Sequence, residues 1–152
     1  KFAKSVRGVD AVILFPFTGP ETEKAWIKAC KKEKLGVIVG GEMTHKGFLE
    51  SEGGFISEKE SLKIYETAAG EKINDFVVPG NKPEKIKLYR AFLEARGIKP
   101  VFYSPGLIAQ GGNITKSAHA AGETWHAIVG RALYNAKDIH NAAKELVKNL
   151  SP

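Results

Sequence analysis

A chain of 152 residues that is 43% apolar can bury one core as a single domain, yet it is shorter than the roughly 200–250 residues of a closed eight-stranded (β/α) barrel. The formal charge of +6 favours anionic partners. The lysines are dispersed and broken by acids, as in Lys31-Lys32-Glu33-Lys34, with no aromatic-interleaved basic motif, so a phosphorylated small molecule fits better than nucleic acid.

No apolar run approaches the roughly 20 residues of a membrane span, and no signal-peptide pattern is present. The lone Cys30 excludes an internal disulfide, fits a reducing cytoplasm and reads as a small helix-face hydrophobe. Abundant Lys and Glu suit a heat-stable protein. Because the first residue is Lys1, the sequence is expected to start inside a longer gene product.

Short apolar runs alternate with amphipathic segments, the pattern of parallel βα units. Residues 1–8 read as the tail of a helix. Val12-Ile13-Leu14-Phe15 is a buried strand closed by Pro16 and Gly19-Pro20, and a helix over 21–32 follows with Ala25, Trp26, Ala29 and Cys30 on one stripe. Val37-Ile38-Val39 is the second strand, ending in Gly40-Gly41-Glu42-Met43-Thr44-His45; a glycine-bearing loop then leads to a helix over about 58–69. The third strand, Phe76-Val77-Val78, precedes a helix opened by Pro83, faced by Ile86, Tyr89, Phe92 and Leu93, and stopped by Gly97. Val101-Phe102-Tyr103 is the fourth strand and Ala127-Ile128-Val129 the fifth. A last helix carries Ile139, Ala142, Ala143, Leu146, Val147 and Leu150 at helical spacing.

The chemistry concentrates after the fourth and fifth strands. Ser104-Pro105-Gly106-Leu107-Ile108-Ala109-Gln110-Gly111-Gly112 holds four glycines and prolines in nine residues, so its backbone N–H groups can approach a ligand closely. One βα unit later, Gly130-Arg131 ends the next apolar run and supplies a planar guanidinium fork suited to phosphate oxygens. Two consecutive strand ends with these chemistries look like the phosphate cradle at the C-terminal face of a (β/α) barrel. The loop lacks the Gly-x-Gly-x-x-Gly spacing of a dinucleotide fold. His45, His119, His126 and His140 do not have the tight spacing of zinc ligands. Trp26 and Trp125 are assigned to packing, and Glu42, ending a strand, to a supporting hydrogen bond.

Four motifs carry a resemblance: Gly41-Glu42-Met43-Thr44-His45-Lys46-Gly47, Pro79-Gly80-Asn81-Lys82-Pro83-Glu84, the loop 104–112, and Ile128-Val129-Gly130-Arg131-Ala132-Leu133-Tyr134-Asn135-Ala136. In this order, each at a strand's C-terminal end, the chain resembles the C-terminal portion of the archaeal orotidine 5′-monophosphate decarboxylases over essentially its whole length. The resemblance implies about five C-terminal βα units of a (β/α)8 TIM barrel, incomplete by itself. It implies a lyase that takes orotidine 5′-monophosphate to uridine 5′-monophosphate and CO2 without metal or organic cofactor, as a homodimer.

By the same resemblance Gln110 and Arg131 hold the nucleotide phosphate, assisted by Gly130 and the backbone of Gly111 and Gly112. The segment of Pro105, Gly106, Leu107, Ile108 and Ala109, running on through Asn113, Ile114 and Thr115, is the loop that closes over the ligand. Thr44, in place of the family's usual Ser, keeps the hydroxyl that hydrogen-bonds the pyrimidine, while its methyl restricts the rotamers. Lys46 stands where the family often has proline, and the segment 113–123 looks longer than usual.

The family's catalytic Asp-x-Lys-x-x-Asp cluster has no match here. Asp10 and Asp75 both lie at the entering ends of strands, whereas active-site groups belong at the C-terminal face. The expectation is that the cluster lies upstream of Lys1, in the same or another chain, and that this chain alone does not decarboxylate. Five βα units leave both outer strands unpaired, so association with a partner, dimerisation or aggregation is expected. The alternatives are another phosphate-binding barrel lyase or aldolase, and a non-catalytic nucleotide-binding fragment.

Overall fold

The computed structural model describes residues 2–6 and 8–148. After α1 (Phe2–Ser5) come β1 (Ala11–Leu14), α2 (Pro20–Lys32), β2 (Gly36–Gly40), α3 (Glu58–Gly70), β3 (Asp75–Val77), α4 (Pro83–Glu94), β4 (Val101–Ser104), α5 (Ile114–Ala121), β5 (Trp125–Ala127), α6 (Arg131–Tyr134) and α7 (Ile139–Val147). The strands form one sheet in the order β1-β2-β3-β4-β5, every pairing parallel, with β1 and β5 outermost.

The register places one apolar residue per strand at the same height. Leu14 pairs with Val39, Val39 with Phe76, Phe76 with Phe102, and Phe102 with Trp125. This row faces the helices and packs with Ile27, Cys30, Tyr65, Ile86, Tyr89 and Leu93 into the core. Side chains alternate between faces along a strand, so the next row, Gly40, Val77, Tyr103 and His126, lies on the opposite side. There the His126 ring stacks on Tyr103 at 4.7 Å, and the Tyr103 hydroxyl donates to Asp75 Oδ1 at 3.1 Å.

Several boundaries differ from the sequence reading. The fifth strand runs over Trp125–Ala127 rather than Ala127-Ile128-Val129, and His126 is its middle residue. Trp125 sets this register: its ring packs on the core while its indole N–H donates to Ser104 Oγ at 2.8 Å. The third strand begins one residue early, at Asp75.

On α2 the buried positions are Glu23, Ile27 and Cys30, whereas Trp26 is 39% exposed and Ala25 and Ala29 face solvent. Pattern alone favoured the stripe of small residues and Trp because a glutamate is an unexpected core residue. Helix α7 is capped by Asp138, whose side chain accepts from Asn141 N–H. Its apolar stripe is uncovered, with Ile139 and Val147 more than half exposed. Leu150, Lys1 and Arg7 lie outside the described residues.

Candidate functional site

The loops that follow β2, β3 and β4 meet at the C-terminal edge of the sheet. Between β4 and α5 the chain folds back on itself: Ile108 N–H donates to Gly112 O at 2.9 Å, Gly111 N–H to Ile108 O at 3.0 Å, and Gly112 N–H to Gly106 O at 3.3 Å. Gly106 and Gly111 hold φ of 85° and 84°, which glycine adopts without penalty. Ile108 holds φ of 64°, a costly conformation for a β-branched residue.

This turn carries Gln110 to a cavity of about 220 Å³ that is also lined by Gly106, Gly130 and Arg131. Both Gln110 and Arg131 are exposed, Arg131 as the first residue of α6. Pro105, Leu107 and Ala109 border the same cavity, Leu107 with its side chain otherwise buried.

Thr44 approaches from the neighbouring loop. A Cβ placed on Gly106 would meet Thr44 Cγ2 at 2.6 Å and Gln110 Oε1 at 2.8 Å, so only glycine lets the two loops touch here. Gly106→Ala is therefore expected to cost about 1–3 kcal/mol through overpacking and the unfavourable φ. Urea denaturation reads that loss.

Thr44 itself lines a second cavity of about 310 Å³, with Lys46, Asn81 and Lys82. Gly111, Gly112 and Ile108 lie on a third, of about 370 Å³, together with Asn113, Ile114, Thr115 and residues of α7. The expected cluster is thus divided. Gln110, Gly130 and Arg131 share one cavity; the Gly111-Gly112 pair lies on its neighbour because the turn closes through Gly112 N–H. Asn113 accepts Lys116 N–H at 2.9 Å as the cap of α5, and Ile114 turns into the protein.

The segment 80–82 joins the two loops. Gly80 N–H donates to Pro105 O at 2.8 Å, and Ser117 Oγ donates to Gly80 O at 2.6 Å. Asn81 Nδ2 donates to Thr44 O at 2.8 Å. Lys82 Nζ lies 2.8 Å from Glu42 Oε1 and also bonds Glu52. Glu42 is fully buried at the end of β2 and accepts a second hydrogen bond from the Tyr89 hydroxyl.

Burial pulls the Lys82 ammonium down, but its bonds to Glu42 and Glu52 outweigh this and hold it above the usual range. The same Lys82 hydrogen bond holds the Glu52 carboxyl below its ordinary value. Burial, then the neighbouring Tyr65 and the bond to Glu42, push the Tyr89 phenol up. From the sequence Asn81 and Lys82 stood out only as part of the motif 79–84 and Tyr89 only as a helix-face residue, and neither they nor Glu52 had a role in the site. The available signal was the polar pair Asn81-Lys82 wedged between Gly80 and Pro83 at a strand exit.

Among the described residues no group of three or more His, Cys, Asp or Glu is placed to hold a metal ion. Nor is any helix among them long and apolar enough to cross a membrane.

The chain is 34% identical over 140 residues to the orotidine 5′-phosphate decarboxylase of Pyrococcus abyssi, covering 91% of this chain and 60% of that protein. It is 34% identical over 146 residues to the Methanosarcina mazei protein of the same name, covering 94% and 60%. It therefore spans about 60% of the length of these curated relatives. The crystal structure of the Methanocaldococcus jannaschii orotidine 5′-monophosphate decarboxylase, complexed with the inhibitor BMP, superposes with a TM-score of 0.82 at 28% identity, covering 99% of this chain and 66% of that one. The five parallel βα units thus belong to a TIM-barrel architecture. Residues 1–146 match the model of the Orotidine 5′-phosphate decarboxylase / HUMPS family, and the chain belongs to that family.

Proposed function

We propose that the chain forms, as one domain, the phosphate- and pyrimidine-binding part of an orotidine 5′-phosphate decarboxylase, acting on orotidine 5′-monophosphate in the cytoplasm and assembling as a homodimer. The observation that carries this reading is the convergence of Gln110 and Arg131 on one cavity, with Thr44 in contact through Gly106. Arg131 supplies a forked cation and Gln110 an amide for the phosphate oxygens. The Thr44 hydroxyl is assigned to a hydrogen bond with the pyrimidine. Loop 105–115 supplies the cover, and phosphate binding energy remote from the reacting carbon supports its closure and the exclusion of water.

The proton donor at the carbanion is assigned to the Asp-x-Lys-x-x-Asp cluster, which this sequence does not contain and which the rest of the barrel, in the same or another chain, brings. Phosphate cavities are shared by many barrels, so a sugar phosphate is the second reading; it is favoured by the Gln110–Arg131 cavity taken without Thr44.

Calorimetric titration separates the two. Uridine 5′-monophosphate should bind more tightly than ribose 5-phosphate, and Arg131→Ala should weaken it about 10–100-fold, the worth of a charge-assisted hydrogen bond. Equal affinity for the two ligands overturns the nucleotide reading. The chain alone is expected to release no CO2 from orotidine 5′-monophosphate, and turnover by it would move the catalytic group into these residues.

A further inference from the structure

Away from the loops of the candidate site, between the entry to α2 and the outer face of α3, lies a cavity of about 120 Å³. Phe17, Pro20 and Ile64 supply apolar walls, and Glu60 and Lys63 of α3 border it. Glu23, in the first turn of α2, is the feature that packing does not explain. It is 1% exposed, lines the cavity, and its Oε1 has no hydrogen-bond partner. A buried carboxyl without a partner is costly, and such groups persist where something pairs with them. Glu60 and Lys63 are exposed and form no ion pair among the described residues, so neither satisfies it.

We propose that this cavity is a binding site for a small primary alkylammonium, its head paired with the Glu23 carboxylate and its short stem lying against Phe17, Pro20 and Ile64. The chemistry follows from the lining. A carboxylate in an apolar recess rewards a cation that brings three N–H donors and a hydrocarbon tail. An anion would meet Glu23 and Glu60 together, and a neutral alcohol would leave the carboxyl with one weak partner. Among the described residues Lys63 is the only cation bordering the cavity and competes with the ligand, whereas Lys24, next to Glu23 in the chain, is paired with Glu21 at 2.9 Å.

Burial lifts the Glu23 carboxyl to about 8, so near neutral pH the empty site holds a proton. On binding, that proton passes to the buffer as the carboxylate pairs with the ammonium. The site is separate from the Gln110–Arg131 cavity, and its test does not depend on the nucleotide reading.

The test is titration of the whole chain with butylammonium and, separately, with 1-butanol, followed by NMR of the Ile56 and Ile64 methyls and by calorimetry in two buffers of different ionisation enthalpy. Butylammonium should shift both methyls, bind roughly tenfold or more tightly than 1-butanol, and release close to one proton per amine at pH 7. Glu23→Gln should abolish the proton release and bring the two affinities together. If that variant fails to fold, the proton count on the unaltered chain still decides. Butylammonium that binds no more tightly than 1-butanol, or binds without releasing a proton, overturns the assignment, and Lys63 folding in to neutralise Glu23 would give that result.

Discussion

Lys82→Met is expected to lower folding stability by about 3–5 kcal/mol, the cost of leaving a buried carboxylate without its cation. The Glu42 side chain is fully buried and that of Lys82 is 13% exposed, so water cannot replace the ammonium. Among the described residues Tyr89 remains as the one hydrogen-bond donor to the Glu42 carboxylate. Glu52 loses its partner in the same substitution, which loosens the loop it closes by accepting Phe48 and Leu49 N–H. Urea midpoints check the magnitude. Adding Glu42→Gln to Lys82→Met should recover part of the loss, because the charge that needed pairing is gone; this non-additivity identifies the pair rather than packing. A loss under about 1 kcal/mol from Lys82→Met would mean that the pair behaves like a solvated surface bridge.

Glu23 makes the protein less stable as pH rises. Its folded value of about 8 lies above the roughly 4.3 of an unfolded glutamate, so between these limits the folded chain holds a proton that the unfolded chain has released. Stability attributable to Glu23 is fully present below about pH 4 and falls with rising pH at up to about 1.4 kcal/mol per unit until it levels off near pH 8. From pH 5 to 8 the loss is on the order of 3–4 kcal/mol.

Glu52 acts in the opposite sense. With its folded value depressed by Lys82, it contributes stability above the unfolded value, and this is lost as pH falls through the folded one. The optimum is therefore displaced to mildly acid pH. Glu23→Gln should flatten the decline between pH 5 and 8 while leaving the acid limb unchanged. A wild-type profile already flat over that interval would show that Glu23 is ionised and paired in the fold.

Much of the architecture was legible because parallel sheets buried against helices read as short β-branched runs. Val37-Ile38-Val39 and Val101-Phe102-Tyr103 both fall within the observed strands. The placement of β5 was less legible because Ile128 and Val129 look more strand-like than Trp125 and His126; the backbone pairing with β4 and the Trp125–Ser104 hydrogen bond fix which residues pair. The nearness of Gly130 and Arg131 to the loop 104–112 could be read from spacing after strands, whereas Gln110 was singled out only by the family resemblance. The Glu42–Lys82–Glu52 cluster could not be read this way, since its members are up to 40 residues apart and meet only through the sheet. Glu23 was hidden for a different reason: burying a carboxyl group without a hydrogen-bond partner on Oε1 runs against the pattern by which helical faces are read.

The level row from Leu14 to Trp125 has a consequence for the loops at the candidate site, which begin two to three residues beyond it. Since neighbouring side chains on a strand point oppositely, sliding β4 by a single position against β3 would carry Tyr103 into the oily layer and turn Phe102 and Ser104 away from the helices. Gln110 would then leave from the wrong side of the molecule, although helix and strand content would hardly change. The aim of the proposed phosphate site is thus an inherited property, decided by how Phe76, Phe102 and Trp125 interlock several residues before Gln110 and Arg131.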